Sequence, residues 1–178
     1  IYLAPVTKED YIAMLDWSLT QNEYPVAIKV PGGSMISTGV PVTKDFSKLD
    51  TYEITKKGSR VAILGLGTFY ETAVKAANIL KTSHGIDATV INPYYISGID
   101  ADTLNELKKD HAVVATLEDG YLEGGFGAKI AAYYGSSDMK VLNFGIKKEF
   151  IDRYDASEVL KYNHLSPEQI AEDIAATL

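Results

Sequence analysis

The chain has 178 residues, 46% apolar and 23% charged, which suits one globular domain, or one with part of another, and excludes a disordered polymer. A formal net charge of −7 argues against a nucleic-acid or anionic-membrane partner, and the lack of cysteine excludes disulfides and thiolate metal sites. No apolar run approaches the roughly 20 residues that span a bilayer and no signal segment opens the chain, so the cytoplasm is the expected location.

The chain starts at Ile1 with strand-like sequence, whereas a native terminus is usually polar and frayed, so a piece of a longer protein is expected. "IYLAP" reads as a short strand ended by Pro5. Thr7 and Asp10, three residues apart, form a capping box for a helix whose apolar residues Tyr11, Ile12, Met14, Leu15 and Leu19 recur at helical spacing. "PVAIKVPGG" reads as a second strand, stopped by Pro31, Gly32 and Gly33. Two strands and a helix cannot bury both faces of a sheet, so this first piece, residues 1–47, is expected to be incomplete. Residues 48–58 read as a linker leading into an edge strand near Thr51–Thr55.

From residue 59 to 178 strands and helices alternate. "RVAILGLG" is a buried strand, followed by a helix that Thr68 would cap with Glu71 and that Gly85 would end. "DATVINPYYI" and "HAVVATLED" are further strands, separated by the helix "DADTLNELKKD". A glycine turn then leads to a helix over 125–134, a strand "KVLNFGI" and a closing helix capped by Ser166. This order predicts an α/β fold with three layers and a mostly parallel sheet covered by helices on both faces.

Three features could carry chemistry. "GLGTFYE" sits between strand and helix like a dinucleotide turn, but Tyr70 stands where the third glycine is needed, which leaves a weak signal at Gly65 and Gly67. "TLEDGYLEGGFGAKI" brings Glu118 to the carboxyl edge of the sheet ahead of Gly124, Gly125 and Gly127. A helix start there could hold a phosphate, yet Glu118, Asp119 and Glu123 would repel it, so the glycines are read as sites of close packing against a neighbouring domain or subunit. His84, His111 and His164 are scattered and form no metal set.

Taken in order, "YLAPVTKEDYIAMLDW", "PVAIKVPGG", "VAILGLGTFYETAVKAA", "ATVINPYYISGID", "VVATLEDGYLEGGFGAKI" and "VLNFGIKKEFI" resemble the carboxyl-terminal third of the 1-deoxy-D-xylulose-5-phosphate synthases. These belong to the transketolase-like thiamine-diphosphate enzymes. The resemblance implies that residues 1–47 end a pyrimidine-binding domain and 59–178 form a transketolase carboxyl-terminal domain. It further implies a parent protein that transfers two-carbon ketol units, with thiamine diphosphate and Mg²⁺ held on domains that precede this chain. No catalytic, cofactor or metal ligand is then expected here, and the chain alone is expected to be inactive. Its role would be homodimer assembly beside those amino-terminal domains, with Glu118, Gly124, Gly125, Gly127 and Lys29 at the interface or lining the active-site funnel. The family's arginines in Tyr-Pro-Arg-Gly and Asp-x-Arg are here Gly32 and Tyr94, and Gly98 replaces a proline, so a phosphosugar acceptor would lack two charged donors. A transketolase-like enzyme with another acceptor, the tail of a 2-oxoacid dehydrogenase β subunit and a nucleotide-binding module are the alternatives.

Overall fold

The structure is a computed structural model and describes residues 1–152 and 155–178. Its frame is a five-stranded sheet in the order β3-β5-β4-β6-β7: β3 Glu53–Lys56, β4 Arg60–Gly65, β5 Thr89–Asn92, β6 His111–Tyr121 and β7 Lys140–Ile146. All pairings are parallel except β3 with β5, which is antiparallel at the edge. The expected three-layer α/β architecture is therefore present.

Alternation along the strands explains the layers. Val61 and Ile63 of β4 point to one face with Val113, Ala115 and Leu117 of β6, where α2 (Tyr70–His84) and α6 (Pro167–Ala175) cover them. Ala62 and Leu64 point to the other face with Val114, beneath α3 (Ala101–Leu107) and α4 (Phe126–Tyr134). Fully burying each large aliphatic side chain contributes about 1.5–3 kcal/mol, so both faces must be covered for the sheet to persist.

The first fifty residues lie against this frame. β1 (Tyr2–Leu3) and β2 (Ala27–Ile28) form a two-stranded parallel sheet, and α1 (Lys8–Thr20) starts with the expected box, Thr7 Oγ1 accepting from Asp10 N–H and Asp10 from Thr7 N–H. Leu3, Met14, Phe46, Tyr94 and Tyr95 make a third cluster that glues this piece on. Backbone bonds add to it: Ala4 N–H donates to Tyr94 O (2.7 Å) and Ile96 N–H to Tyr2 O (2.8 Å). The opposite side of α1 is bare, with Ile12, Leu15 and Leu19 exposed.

Several expectations need correction. Thr68 does not cap α2: the chain first makes a 3-10 turn over Gly67–Phe69, the cap position falls on Phe69, and the Thr68 hydroxyl faces Asp119 at 3.5 Å. The strand read over 87–96 ends at Asn92, because Pro93 and the left-handed Tyr94 (φ 59°) turn the backbone. The strand read in "PVAIKVPGG" is only two residues long. A short helix, α5 (Ala156–Tyr162), was not foreseen.

Candidate functional site

Ligands of doubly wound sheets bind outside the carboxyl ends of the strands, where successive connections leave to opposite faces. Here that point lies between β4, whose helix α2 goes to one face, and β6, whose helix α4 goes to the other. The crevice is filled by the chain itself. Ala4, Pro5, Lys29, Val30 and Pro31 lie against Leu66, Gly67, Thr68 and Asp119 and leave a volume of about 10 Å³. A Cβ on Gly67 would come 3.2 Å from Ala4 Cβ. Lys29 Nζ forms an ion pair with Asp119, which matches its charge within the chain. A nucleotide turn at Gly65 and Gly67 has no room for its ligand.

The glycine turn beside this crevice is also spoken for. The Glu118 side chain, 5% exposed, folds under the start of α4, where its Oε2 accepts from Phe126 N–H (3.0 Å) and its Oε1 from Gly127 N–H (2.8 Å). A helix amino terminus favours an anion through its free N–H groups and its dipole, and here the anion is the protein's own carboxylate. The glycines make room for it. A Cβ on Gly125 would stand 2.5 Å from Glu118 Oε1 and run into the Tyr121 carbonyl, while one on Gly127 would stand 2.5 Å from Thr116 Oγ1 and 2.8 Å from Asn143 Oδ1.

The structure thus brings Glu118, Gly125 and Gly127 together, and the space a Cβ on either glycine would need is taken by atoms of the chain itself. Close packing inside the chain is thus already a reason for glycine at 125 and 127. Gly124 (φ 73°) is exposed, with open space where its Cβ would be, and Lys29 sits at the adjacent crevice. Gly32 is exposed with nothing near it. Tyr94 turns inward, its hydroxyl donating to Glu53 Oε2 at 2.5 Å; burial first, then that bond, push the hydroxyl pKa well up. Gly98 has a local reason too, since the Asp50 carboxylate occupies the space a Cβ would take.

The histidines do not converge. His111 Nε2 lies 2.8 Å from Thr89 Oγ1 and its Nδ1 2.6 Å from Asp110 Oδ1, His164 pairs with Asp173, and His84 ends α2. Among the described residues no group of three or more His, Cys, Asp or Glu could hold a metal ion. With the crevice filled and the α4 terminus taken by Glu118, these residues do not fit a diphosphate cofactor with its divalent ion. Two polar side chains went unnoticed as site residues, Asp10 because it serves as a cap and Asn92 because it ends a strand; both line a cleft beside β3.

The comparisons with known proteins agree with this fold. A 1-deoxy-D-xylulose-5-phosphate synthase of Clostridium acetobutylicum is 34% identical over 175 residues, covering 97% of this chain and 28% of that protein. The enzyme of the same name from Gloeothece citriformis is 30% identical, covering 98% of the chain and 28% of that protein. The chain thus spans little more than a quarter of these relatives. Among solved structures, the inactive β4 tetramer of a split-gene transketolase superposes with a TM-score of 0.79 at 23% identity, over 99% of this chain and 57% of that one. A transketolase variant from Pichia stipitis gives 0.69 at 16% identity, over 99% and 24%. The family model described as "Transketolase, C-terminal domain" matches residues 50–170, more than half of the sequence, and the chain belongs to that family.

Proposed function

We propose that this chain is the carboxyl-terminal part of a thiamine-diphosphate-dependent ketol transferase of the 1-deoxy-D-xylulose-5-phosphate synthase type, with an assembly role and no catalysis of its own. The observation that carries the reading is the pairing of 34% identity along 97% of the chain with coverage of only 28% of the relative. In that frame residues 1–47 close a pyrimidine-binding domain, 48–58 link, and 59–178 form the last domain. The bare side of α1, with Ile12, Leu15 and Leu19 exposed, supports contact with the preceding domains, because adjoining apolar side chains exposed along one helix face mark an interaction surface. Lys29 and Gly124, both at the carboxyl edge, are the proposed border of the active-site funnel, and Glu118, Gly125 and Gly127 shape that border from beneath. Thiamine diphosphate and Mg²⁺ belong to the preceding domains, the assembly is a homodimer, and its place is the cytoplasm.

The test is calorimetry of the purified chain with thiamine diphosphate and Mg²⁺, followed by addition of a separately produced polypeptide carrying the amino-terminal two-thirds of a close relative. No heat from the chain alone, and ketol transfer only in the mixture, is the expected result. Micromolar cofactor uptake by the chain alone would overturn the division of labour.

A further inference from the structure

A cleft of about 340 Å³ lies between the start of α1, the segment 38–44, and the sheet edge made by β3 and the end of β5. Two nearly buried polar side chains line it, Asp10 at 5% and Asn92 at 3% exposure. Each is half used. Asp10 Oδ2 accepts from Val6 N–H (3.1 Å) and Thr7 N–H (2.9 Å), while Oδ1 meets no donor among the described residues. Asn92 Oδ1 accepts from Tyr94 N–H at 3.2 Å, which fixes the orientation of the amide and turns Nδ2 the other way. Among the described residues Nδ2 has no acceptor, and neither it nor Asp10 Oδ1 is enclosed by protein, so both open onto the cleft. Both atoms can therefore be met by water in the cleft, and a ligand with a matching donor and acceptor would take the place of that water.

The valences are of opposite kind. Asp10 offers an acceptor and Asn92 offers donors. The surrounding charge selects further. Asp10 and Glu53 outnumber Lys44, and the Lys44 ammonium is already engaged by Thr51 O (2.8 Å), Thr51 Oγ1 (3.0 Å) and the Tyr94 ring at 5.1 Å. An anion would meet two carboxylates with no free cation facing it among the described residues, and a cation would meet the amide hydrogens of Asn92 and the Lys44 charge. We propose that this cleft binds a small uncharged ligand with adjacent hydroxyl groups, one hydroxyl donating to Asp10 Oδ1 and its neighbour accepting from Asn92 Nδ2. Tyr70, also in the lining, adds a hydroxyl, and Val6, Val40 and Val42 face the carbon chain.

This site stands apart from the transferase reading, and its test needs neither cofactor nor preceding domains. The full chain, labelled with ¹⁵N, is titrated with erythritol to 100 mM, and with inorganic phosphate in a parallel series. Expected are saturable shifts of the Asn92 side-chain amide and of the backbone amides of Thr7, Asp10 and Tyr94, with millimolar affinity for erythritol and no saturation with phosphate. Asn92→Asp keeps the acceptor for Tyr94 N–H and the side-chain size but removes the free donor, and should weaken binding at least tenfold. Tyr70→Phe, at the rim, should weaken it two- to fivefold and guards against a folding defect in the first variant. Shifts scattered over the surface, unchanged binding in both variants, or tighter binding of phosphate would each overturn the proposal.

Discussion

Replacing Glu118 by glutamine tests the reasoning at the carboxyl edge most directly. The carboxylate holds two N–H groups of the α4 terminus, at 3.0 and 2.8 Å, in a place where the side chain is 5% exposed. Glutamine keeps the shape and one carbonyl oxygen but turns its NH₂ toward the other N–H. One charge-assisted bond is lost outright, at about 1.5–3 kcal/mol, and the remaining one falls to neutral strength. The lost interaction with the helix dipole adds about 0.3–1 kcal/mol. The sum is about 2–4 kcal/mol, which for a chain of this size lowers Tm by about 5–15 °C. Urea denaturation followed by circular dichroism measures it, and an unchanged slope would show that the unfolded state is not the cause. If Glu118→Gln unfolds within 0.5 kcal/mol of the parent, the carboxylate is not the anion of this helix, and the account of the glycine turn fails with it.

Three further predictions follow from the same contacts. Glu9 accepts from Ser37 Oγ and from the N–H groups of Thr38 and Gly39, chiefly the Ser37 bond lowering its pKa to about 2; a depressed carboxylate stabilises above its unfolded value of about 4.5 and loses that contribution as pH falls toward 2, so Glu9→Gln should flatten the acid limb of the stability–pH curve over this window. Gly98→Ala should cost about 1–3 kcal/mol by driving a Cβ into the Asp50 carboxylate, and adding Asp50→Gly, at a left-handed position that glycine accepts (φ 54°), should restore most of it in a thermal melt. Tyr134→Phe removes the hydroxyl that donates to Leu104 O at 2.7 Å in the core and should cost about 1–2 kcal/mol in a urea titration, leaving a buried carbonyl short of a partner.

What the sequence revealed depended on whether the deciding forces were local. The capping box at Thr7 and Asp10 and the left-handed Gly85 after α2 were readable because each motif closes within a few residues. The alternation Val61–Leu64, flanked by helices on either side, announced a sheet buried on both faces. Thr68 misled because a 3-10 turn intervenes, and its side chain is drawn instead to Asp119, 51 residues away. Helix α5 was hidden because it buries nothing; its signal is the Asp155 cap, which accepts from Ser157 and Glu158 N–H, rather than any apolar period. The inward turn of Glu118 could have been inferred from the need of α4 for a cap, since Gly125 supplies no side chain to provide one. The half-used pair of Asp10 and Asn92 could not, because it depends on two elements 82 positions apart meeting across one cleft.

The filled crevice shows how this chain uses the place where doubly wound sheets most often bind ligands. A doubly wound sheet offers a ligand place at its topological switch, and an enzyme built on it keeps that place open. In this chain the same place receives Ala4, Pro5, Val30 and Pro31 and is locked by the Lys29–Asp119 ion pair. The exposure of that pair, 33% and 36%, means the lock owes more to packing and shape than to charge, since partly exposed pairs contribute little. The sheet edge has therefore become an internal joint, where burying the first segment organises the chain around α1 and leaves the apolar side of that helix outward. On the assembly role proposed above, that apolar side is where the preceding domains would dock, while the cleft lined by Asp10 and Asn92 lies apart from the joint for the ligand proposed there.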